Sequence, residues 1–198
     1  MIRTDIDPVA DKPVPGYRRW MIEAERLDAA LYARVASTPT PALDRSMRRL
    51  SHAANYSRLS LASGTVLALA CGPAGRRAAA RGLASVAVTA TIVNLAVKPL
   101  SRRRRPNRTA ERVPPERHVR MPVSTSFPSG HSAAAFAFAS GVGTTMPTAV
   151  IPLRILATLV AYSRVHTGVH YPGDAIGGAL IGIALARLTT RALDHREG

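Results

Sequence analysis

The sequence predicts an all-α protein: an integral-membrane helical bundle of about five transmembrane helices, preceded by an N-terminal amphipathic helical segment. Two observations carry this expectation. Charged residues crowd into the first 58 positions, around Arg102–Arg120 and near the C-terminus, leaving uncharged tracts of Ala, Leu, Val and Gly between them. Those tracts are rich in small residues, which suits close packing of membrane helices, and they are punctuated by Gly72-Pro73, Pro147 and Pro172. A soluble helical bundle is the competing architecture.

Each element has its own signal. Residues 1–16 are polar and Pro-containing, the pattern of a loosely ordered terminus. Trp20, Met21, Leu27, Leu31 and Val35 recur at helical spacing between Glu23, Glu25, Arg26, Asp28 and Arg34, predicting a helix over 17–36. Too charged to span, it would lie at the membrane interface with Trp20 at headgroup level, or pack on the rest of the fold. Thr38-Pro39-Thr40-Pro41 breaks it, and a basic helical pattern resumes over Ala42–Arg58. Uncharged runs at Leu59–Cys71 and Leu83–Val97 predict the first two spans, each stretched by flanking Arg and Lys. Ser132–Leu153 is a third tract, interrupted by Gly143 and Pro147; Ile155–Tyr162 ends a fourth helix beginning near Pro147. Ala175–Ala186 is the fifth, with Gly177, Gly178 and Gly182 allowing close contacts. The chain divides into a polar and amphipathic segment, 1–58, and a membrane domain, 59–198.

The net charge of +15 suits nucleic acid, an anionic membrane surface or a phosphate-bearing substrate. Cys71 is the only cysteine, which excludes a disulfide framework and zinc-finger spacing. The beginning of the chain, with Asp5, Asp7 and Asp11 and no apolar stretch, lacks the pattern of a signal peptide.

The chemistry concentrates in three clusters. Ser163 to Asp174 places Arg164, His166, His170 and Asp174 between two apolar segments, and Asp174 is the only acidic residue from Arg117 to Leu193. A helix starting at Pro172 leaves His170 just before its N-terminus and Asp174 in its first turn, where the carboxylate can reach back to one ring nitrogen. The other nitrogen is then available as base or nucleophile, although an isolated His-x3-Asp is equally a polar turn with a capping Asp. Phe127-Pro128-Ser129-Gly130-His131 precedes the third span. Ser129 suits an N-cap, Gly130 permits close approach of an anion to the helix start, and His131 can donate a proton to a leaving oxygen. Alone, it is also an ordinary capped turn. Lys98 to Pro106 closes the second span with a block of cations, a pattern that also serves as a topology or anionic-lipid signal. In a five-span topology all three clusters meet on one membrane side.

Together they read Lys-x6-Arg-Pro (Lys98 to Arg105-Pro106), Pro-Ser-Gly-His (Pro128 to His131) and Ser-Arg-x5-His-x3-Asp (Ser163-Arg164 to His170 and Asp174). This composite resembles the signature of the type 2 phosphatidic acid phosphatase (PAP2) superfamily, in its membrane lipid phosphatase branch, over roughly residues 98–174. The resemblance implies that His170 attacks phosphorus to form a phosphohistidine, with Asp174 orienting it. His131 would protonate the leaving alcohol and then activate water. Lys98, Arg105, Ser129, Gly130 and Arg164 would hold the phosphoryl oxygens. It implies no metal and no cofactor, in keeping with an inventory of only Glu111, Glu116 and Asp174 between Asp44 and Asp194. Residues 1–58 match no motif.

The expected function is a metal-independent phosphatase acting on a lipid phosphate or polyprenyl (pyro)phosphate. Candidate substrates are phosphatidic acid, phosphatidylglycerophosphate and decaprenyl-phosphoryl-phosphoribose. Its partners would be that substrate and membrane lipids, not nucleic acid. A basic membrane- or lipid-binding protein is the non-enzymatic alternative, and a vanadate-dependent haloperoxidase reuses the same pocket; the first leaves His131, His170 and Asp174 together unexplained. His166 is expected to be a loop anchor. His118 and Arg102–Arg104 are expected to widen the positive field or touch headgroups, and His52 and His195 to lie at the surface. Basic residues from Lys12 to Arg49 share the catalytic side, so the positive-inside rule places a multi-pass protein of the cell membrane with its site facing the cytoplasm.

Overall fold

The computed structural model describes residues 16–197, in which every regular element is helical; the terminal stretch before Gly16 expected to be loosely ordered lies outside the described residues. Helix α1 (Gly16–Ser37) and helix α2 (Pro41–Ala53) are joined by the Pro-containing break. Pro41 occupies the first turn of α2, where its missing N–H costs nothing. Tyr56 and Ser57 adopt left-handed backbone and turn the chain into α3 (Arg58–Ala70).

Gly72, at φ 58°, then reverses the direction into α4 (Gly72–Leu100). This helix starts well before the expected Leu83 and therefore contains Arg76, Arg77 and Arg81. The arginines did not end the helix because a helix needs no apolar residues once it leaves the bilayer; Arg81 pairs with Asp194 at 2.5 Å. Residues Val93–Val97 form a π-helical turn, after which Lys98–Leu100 resumes α geometry. After the long loop 101–129 come α5 (Gly130–Gly143), a single 3₁₀ turn at Pro147–Ala149, α6 (Val150–His166) and α7 (Pro172–Glu197). The breaks at Gly143, Pro147 and Pro172 fall where the sequence puts them.

Among the described residues, three helices are long and apolar enough to cross a membrane: Gly72–Leu100, Pro147–His166 and Pro172–Arg196. Helices α3 and α5 are shorter, 13 and 14 residues, or about 20 Å at 1.5 Å per residue. They complete the bundle around that trio. Helix α5 is the centre: Ala134, Phe138 and Val142 pack on Ala78 and Val86 of α4. On its other side, Gly178 and Gly182 of α7 lie against the Ser129 and Ala133 backbone, leaving no room for a Cβ. Outward, Leu69, Leu95, Ile151, Ile155, Ile176, Leu180 and Leu188 are exposed. A bundle with small residues inside and large aliphatics outside is solvated by lipid, and the chain is a helical membrane protein.

Helix α1 turns its large apolar residues outward, the opposite of a helix in a water-soluble protein. Helix α1 buries Asp28, Tyr32 and Ala36 while Trp20 and Leu27 stay 64% and 62% exposed. A second cluster of polar groups locks α1 and α2 down. Arg117, fully buried, donates to Asp44 Oδ1 (2.8 Å), to Thr40 Oγ1 (3.0 Å) and to the Val35 and Thr38 carbonyls (3.0 and 2.7 Å). His166 Nε2 meets the same Asp44 oxygen at 2.9 Å, the anchoring role expected of it. Arg117 thus satisfies the carbonyls that α1 leaves open at its C-terminal end.

Candidate active site

The site grows from a turn. Helix α6 ends at His166, and Gly168 takes φ +69°, so the amides of Val169 and His170 fold back onto the Arg164 carbonyl at 3.1 and 3.3 Å. This reversal sets His170 beside Arg164, and everything from Ser163 to His170 is buried. Two arginines grip the turn from outside: Arg105 Nη1 donates to Val169 O (2.7 Å) and Arg108 Nε to Gly168 O (3.3 Å).

His170 is held between an anion and a cation. Its Nδ1 lies 3.5 Å from Asp174 Oδ2, and its Nε2 lies 3.2 Å from Arg105 Nη1. A guanidinium has no acceptor, so Nε2 must present its lone pair to Arg105, and the ring proton sits on Nδ1, facing Asp174. Burial pushes the imidazole down to about 4; Asp174 works against this, while Arg105 and Arg164 reinforce it. The ring is therefore neutral at physiological pH, with its lone pair in a field of cations.

Asp174 has no exposed surface, and its oxygens are fully engaged. Oδ1 accepts from Arg103 Nη1 at 2.8 Å; Oδ2 accepts from Ser126 Oγ at 2.5 Å and from Tyr171 N at 2.9 Å. It lies in the first turn of α7, as Pro172 predicts, and its own carbonyl accepts from Ser129 N at 2.9 Å. The two helix starts, of α5 and α7, are thereby bonded to each other.

That bond also changes what the Pro-Ser-Gly-His stretch offers. The N–H of Ser129 is occupied, and its Oγ accepts from Ser132 N and Ser132 Oγ at 3.4 and 3.0 Å as the N-cap of α5. The amides of Gly130 and His131 follow in the first turn, where no helical carbonyl is available to them. The Lys98 ammonium lies over Gly130, 3.6 Å from where a Cβ would stand, and donates to Ser124 Oγ at 3.3 Å. Arg105 Nη2 reaches the same hydroxyl at 3.3 Å. His131 Nε2 pairs with Asn55 Oδ1 at 3.0 Å. Arg164 donates to Ser51 Oγ at 2.6 Å and leaves Nε buried without an acceptor, as Arg108 does its Nη2. A buried guanidinium donor lacking an acceptor fits a site built for an anion.

All eight residues singled out by the sequence thus come together on one side of the bundle. His131 and Arg164 line a cavity of about 560 Å³ with His52, Asn55, Arg120 and Ser124. His131, Gly130 and Lys98 line a second, of about 260 Å³, which runs along α4 past Thr89, Val93 and Asn94. Among the described residues, no group of three or more His, Cys, Asp and Glu side chains is placed to hold a metal ion.

The family model of the PAP2 superfamily matches residues 79–197, the stretch that carries this geometry. The chain belongs to the PAP2 superfamily. Relatives within it include the decaprenylphosphoryl-5-phosphoribose phosphatase of Mycobacterium tuberculosis, 32% identical over 106 residues, which make up 52% of this chain and 54% of that one. Another is the undecaprenyl-diphosphatase of Sulfolobus acidocaldarius, 39% identical over 71 residues, 35% of this chain and 34% of that one. The chain spans about half the length, or less, of the curated relatives it matches. Two solved PAP2-like structures share the fold at 23% identity. Aquifex aeolicus LpxE aligns with a TM-score of 0.67 over 83% of this chain and 95% of its own. The transmembrane PAP2-type phosphatidylglycerolphosphate phosphatase of Bacillus subtilis aligns with a TM-score of 0.63 over 91% and 94%.

Beyond the PAP2 signature, the structure adds residues with no expected part in the site, and Arg103, expected to widen the positive field or touch headgroups, instead bridges two carboxylates. Arg103 and Ser126 hold Asp174, Asn55 holds His131, Ser51 holds Arg164, and Asp28 holds Arg103 at 2.5 Å. Three of the five lie in the N-terminal segment that carried no motif. His118 is bonded within its own loop, to Val113 O at 3.0 Å, and His52 and His195 are exposed.

Proposed function

We propose that this PAP2 protein is a membrane phosphatase that hydrolyses a lipid phosphate or polyprenyl (pyro)phosphate through a phosphohistidine at His170, without a metal. The observation that carries the reading is the setting of His170: Nε2 lies 3.2 Å from Arg105 Nη1, which obliges it to present its lone pair, and Nδ1 faces Asp174 Oδ2 at 3.5 Å.

The chemistry follows from that setting. Arg105, Arg164, Lys98 and the amides of Gly130 and His131 bind the phosphoryl oxygens and neutralise their charge. His170 Nε2 attacks phosphorus, and an N–P bond forms as the P–O bond to the alcohol breaks. His131, protonated on both ring nitrogens once the phosphate dianion is bound and held by Asn55 Oδ1 through Nε2, gives one proton to the departing oxygen and becomes neutral. The phosphorylated imidazole keeps its Nδ1 proton and becomes cationic, and Asp174 stabilises it. Water then attacks phosphorus, its proton passes to the now-basic His131, and the N–P bond breaks to release phosphate.

The relatives named for decaprenyl- and undecaprenyl-linked substrates support a long-chain lipid leaving group, with decaprenyl-phosphoryl-phosphoribose, phosphatidic acid and phosphatidylglycerophosphate as the substrates to compare. In this reading α3 and α5 are short spans completing a five-helix membrane domain, and α1 lies at the interface with its Trp20–Leu27–Leu31 stripe in the headgroups. The cations of α1, α2 and loop 101–129 share the site's side in this reading, and the positive-inside rule supports a site that faces the cytoplasm.

The test is phosphate release by detergent-solubilised protein in EDTA across lipid and soluble phosphates. EDTA-resistant release that prefers long-chain lipid phosphates and disappears in His170→Ala is the expected result. Release that persists in folded His170→Ala would overturn the mechanism.

A further inference from the structure

Asp28 is a carboxylate buried in the face of α1 that packs on the bundle, only 9% exposed. Its Oδ1 accepts from Gly173 N at 2.7 Å and its Oδ2 from Arg103 Nη2 at 2.5 Å. The other arm of the same guanidinium, Nη1, reaches Asp174 Oδ1 at 2.8 Å. Arg103 is also stacked, its Cζ 4.6 Å from the Tyr171 ring centroid, and Tyr171 meets Tyr32 of α1 edge-on at 5.3 Å. The guanidinium is therefore fixed in plane and divided between two carboxylates.

That division has a chemical consequence. An arginine fork facing a single carboxylate binds it through both oxygens. Here Asp28 takes one arm, so Arg103 claims only Oδ1 of Asp174. Oδ2 remains with Ser126, with Tyr171 N and facing His170 Nδ1. Asp28 also offsets part of the Arg103 charge, so Asp174 keeps more of its negative potential for the imidazole.

Resting on the phosphohistidine reading above, we infer that Asp28 is a positioning residue of the His170–Asp174 couple, acting through Arg103 to keep Asp174 Oδ2 on His170. The N-terminal helix is then part of the catalytic apparatus.

Asp28→Asn separates this from a purely structural role. Asparagine keeps an oxygen for the Gly173 amide and removes the charge that divides Arg103. The full-length protein is assayed for kcat and KM on whichever lipid phosphate wild type turns over fastest, alongside His170→Ala. The expected result is a kcat about 10- to 100-fold lower, the scale of a misplaced reacting group, with KM within about twofold and an unchanged melting temperature. Asp28→Glu, which restores the carboxylate, recovers most of the loss. A folded Asp28→Asn protein with wild-type kcat would overturn the inference, as would a loss confined to KM. If Asp28→Asn does not fold, Arg103→Lys decides: lysine cannot bridge both carboxylates, so the same kcat loss is expected and a wild-type kcat refutes it. Wild type without phosphatase activity, or His170→Ala retaining it, sinks the phosphohistidine reading and this inference together. An active wild type and dead His170→Ala beside an unaffected Asp28→Asn sinks this inference alone.

Discussion

The molecule contains the same trio of residue types twice. Asp44, Arg117 and His166 meet in one place, and Asp174, Arg103 and His170 in another. In the first, Arg117 and His166 converge on one oxygen, Asp44 Oδ1, with the Thr40 hydroxyl as a third donor at 2.9 Å. Burial opposes the charge of Asp44, but Thr40, His166 and Arg117 outweigh it and hold the carboxyl below its usual range. The remaining Arg117 donors go to the Val35 and Thr38 carbonyls and to the Thr40 hydroxyl. The other ring nitrogen of His166, Nδ1, is buried without a hydrogen-bonding partner among the described residues, so this imidazole has nothing to act on. In the second, the carboxylate is shared among four groups, and the imidazole turns its free nitrogen toward Arg105. What separates a tether from a candidate nucleophile is the neighbour of the far ring nitrogen, not the composition of the cluster.

Replacing each of the two histidines in turn is the strongest way to break this contrast. His170→Ala is expected to lower phosphate release by on the order of 10³-fold or more, while His166→Ala keeps turnover within several-fold and loses thermal stability instead. Abolished turnover in a fully stable His166→Ala protein would erase the distinction. Arg105→Lys should come next, with kcat/KM about 10²-fold lower in steady-state assays, because an ammonium cannot hold phosphoryl oxygen, Val169 O and Ser124 together. Arg117→Met strands the Asp44 charge, and a loss of about 3–5 kcal/mol is expected in denaturation experiments. A melting temperature like that of wild type would show that cluster to be ornamental.

The smallest effect sharpens the contrast by pH. With its folded-state value lowered to about 4 by burial, His170 stays neutral as pH falls through the ordinary imidazole range. An unfolded chain takes up that proton first, so folding stability falls from about pH 6.5 towards 4 and is fully present above. The ¹⁵N shifts of His170 should show no titration near 6.5; a midpoint there would mean that the ring is solvated.

Much of the site was legible in the sequence because its residues obey local rules. Ser129 caps α5 and Pro172 opens α7, and these fix where His131 and Asp174 stand. Arg103 was half-legible. Residues 102–105 alternate exposed and half-buried, as an extended segment must, and Pro106 favours that conformation in the residue before it. Two-residue alternation would have turned Arg103 inward with Arg105. Asp28 could not be found this way. In α1 it stands between Leu27 and Leu31, on what a soluble protein would use as its wet face. The helix instead offers its apolar stripe outward and meets Arg103 with its acid, an inversion that depends on chain elements 75 residues away. The extent of α4 was misjudged for a related reason: Arg76, Arg77 and Arg81 mark where the lipid ends, not where the helix does.

The π-helical turn at Val93–Val97 admits a reading in terms of chain length. It holds one residue more than an α-helical turn would. The five residues of this turn sweep about the same arc, and rise about as far, as four residues of an α-helix. Removing one residue between Ile92 and Lys98 would therefore let α4 run on as a regular helix with Lys98 still facing Gly130, whereas a deletion in the regular part of α4 would turn the lysine aside by about 100°. The helix can change its residue count here without withdrawing its cation from the start of α5.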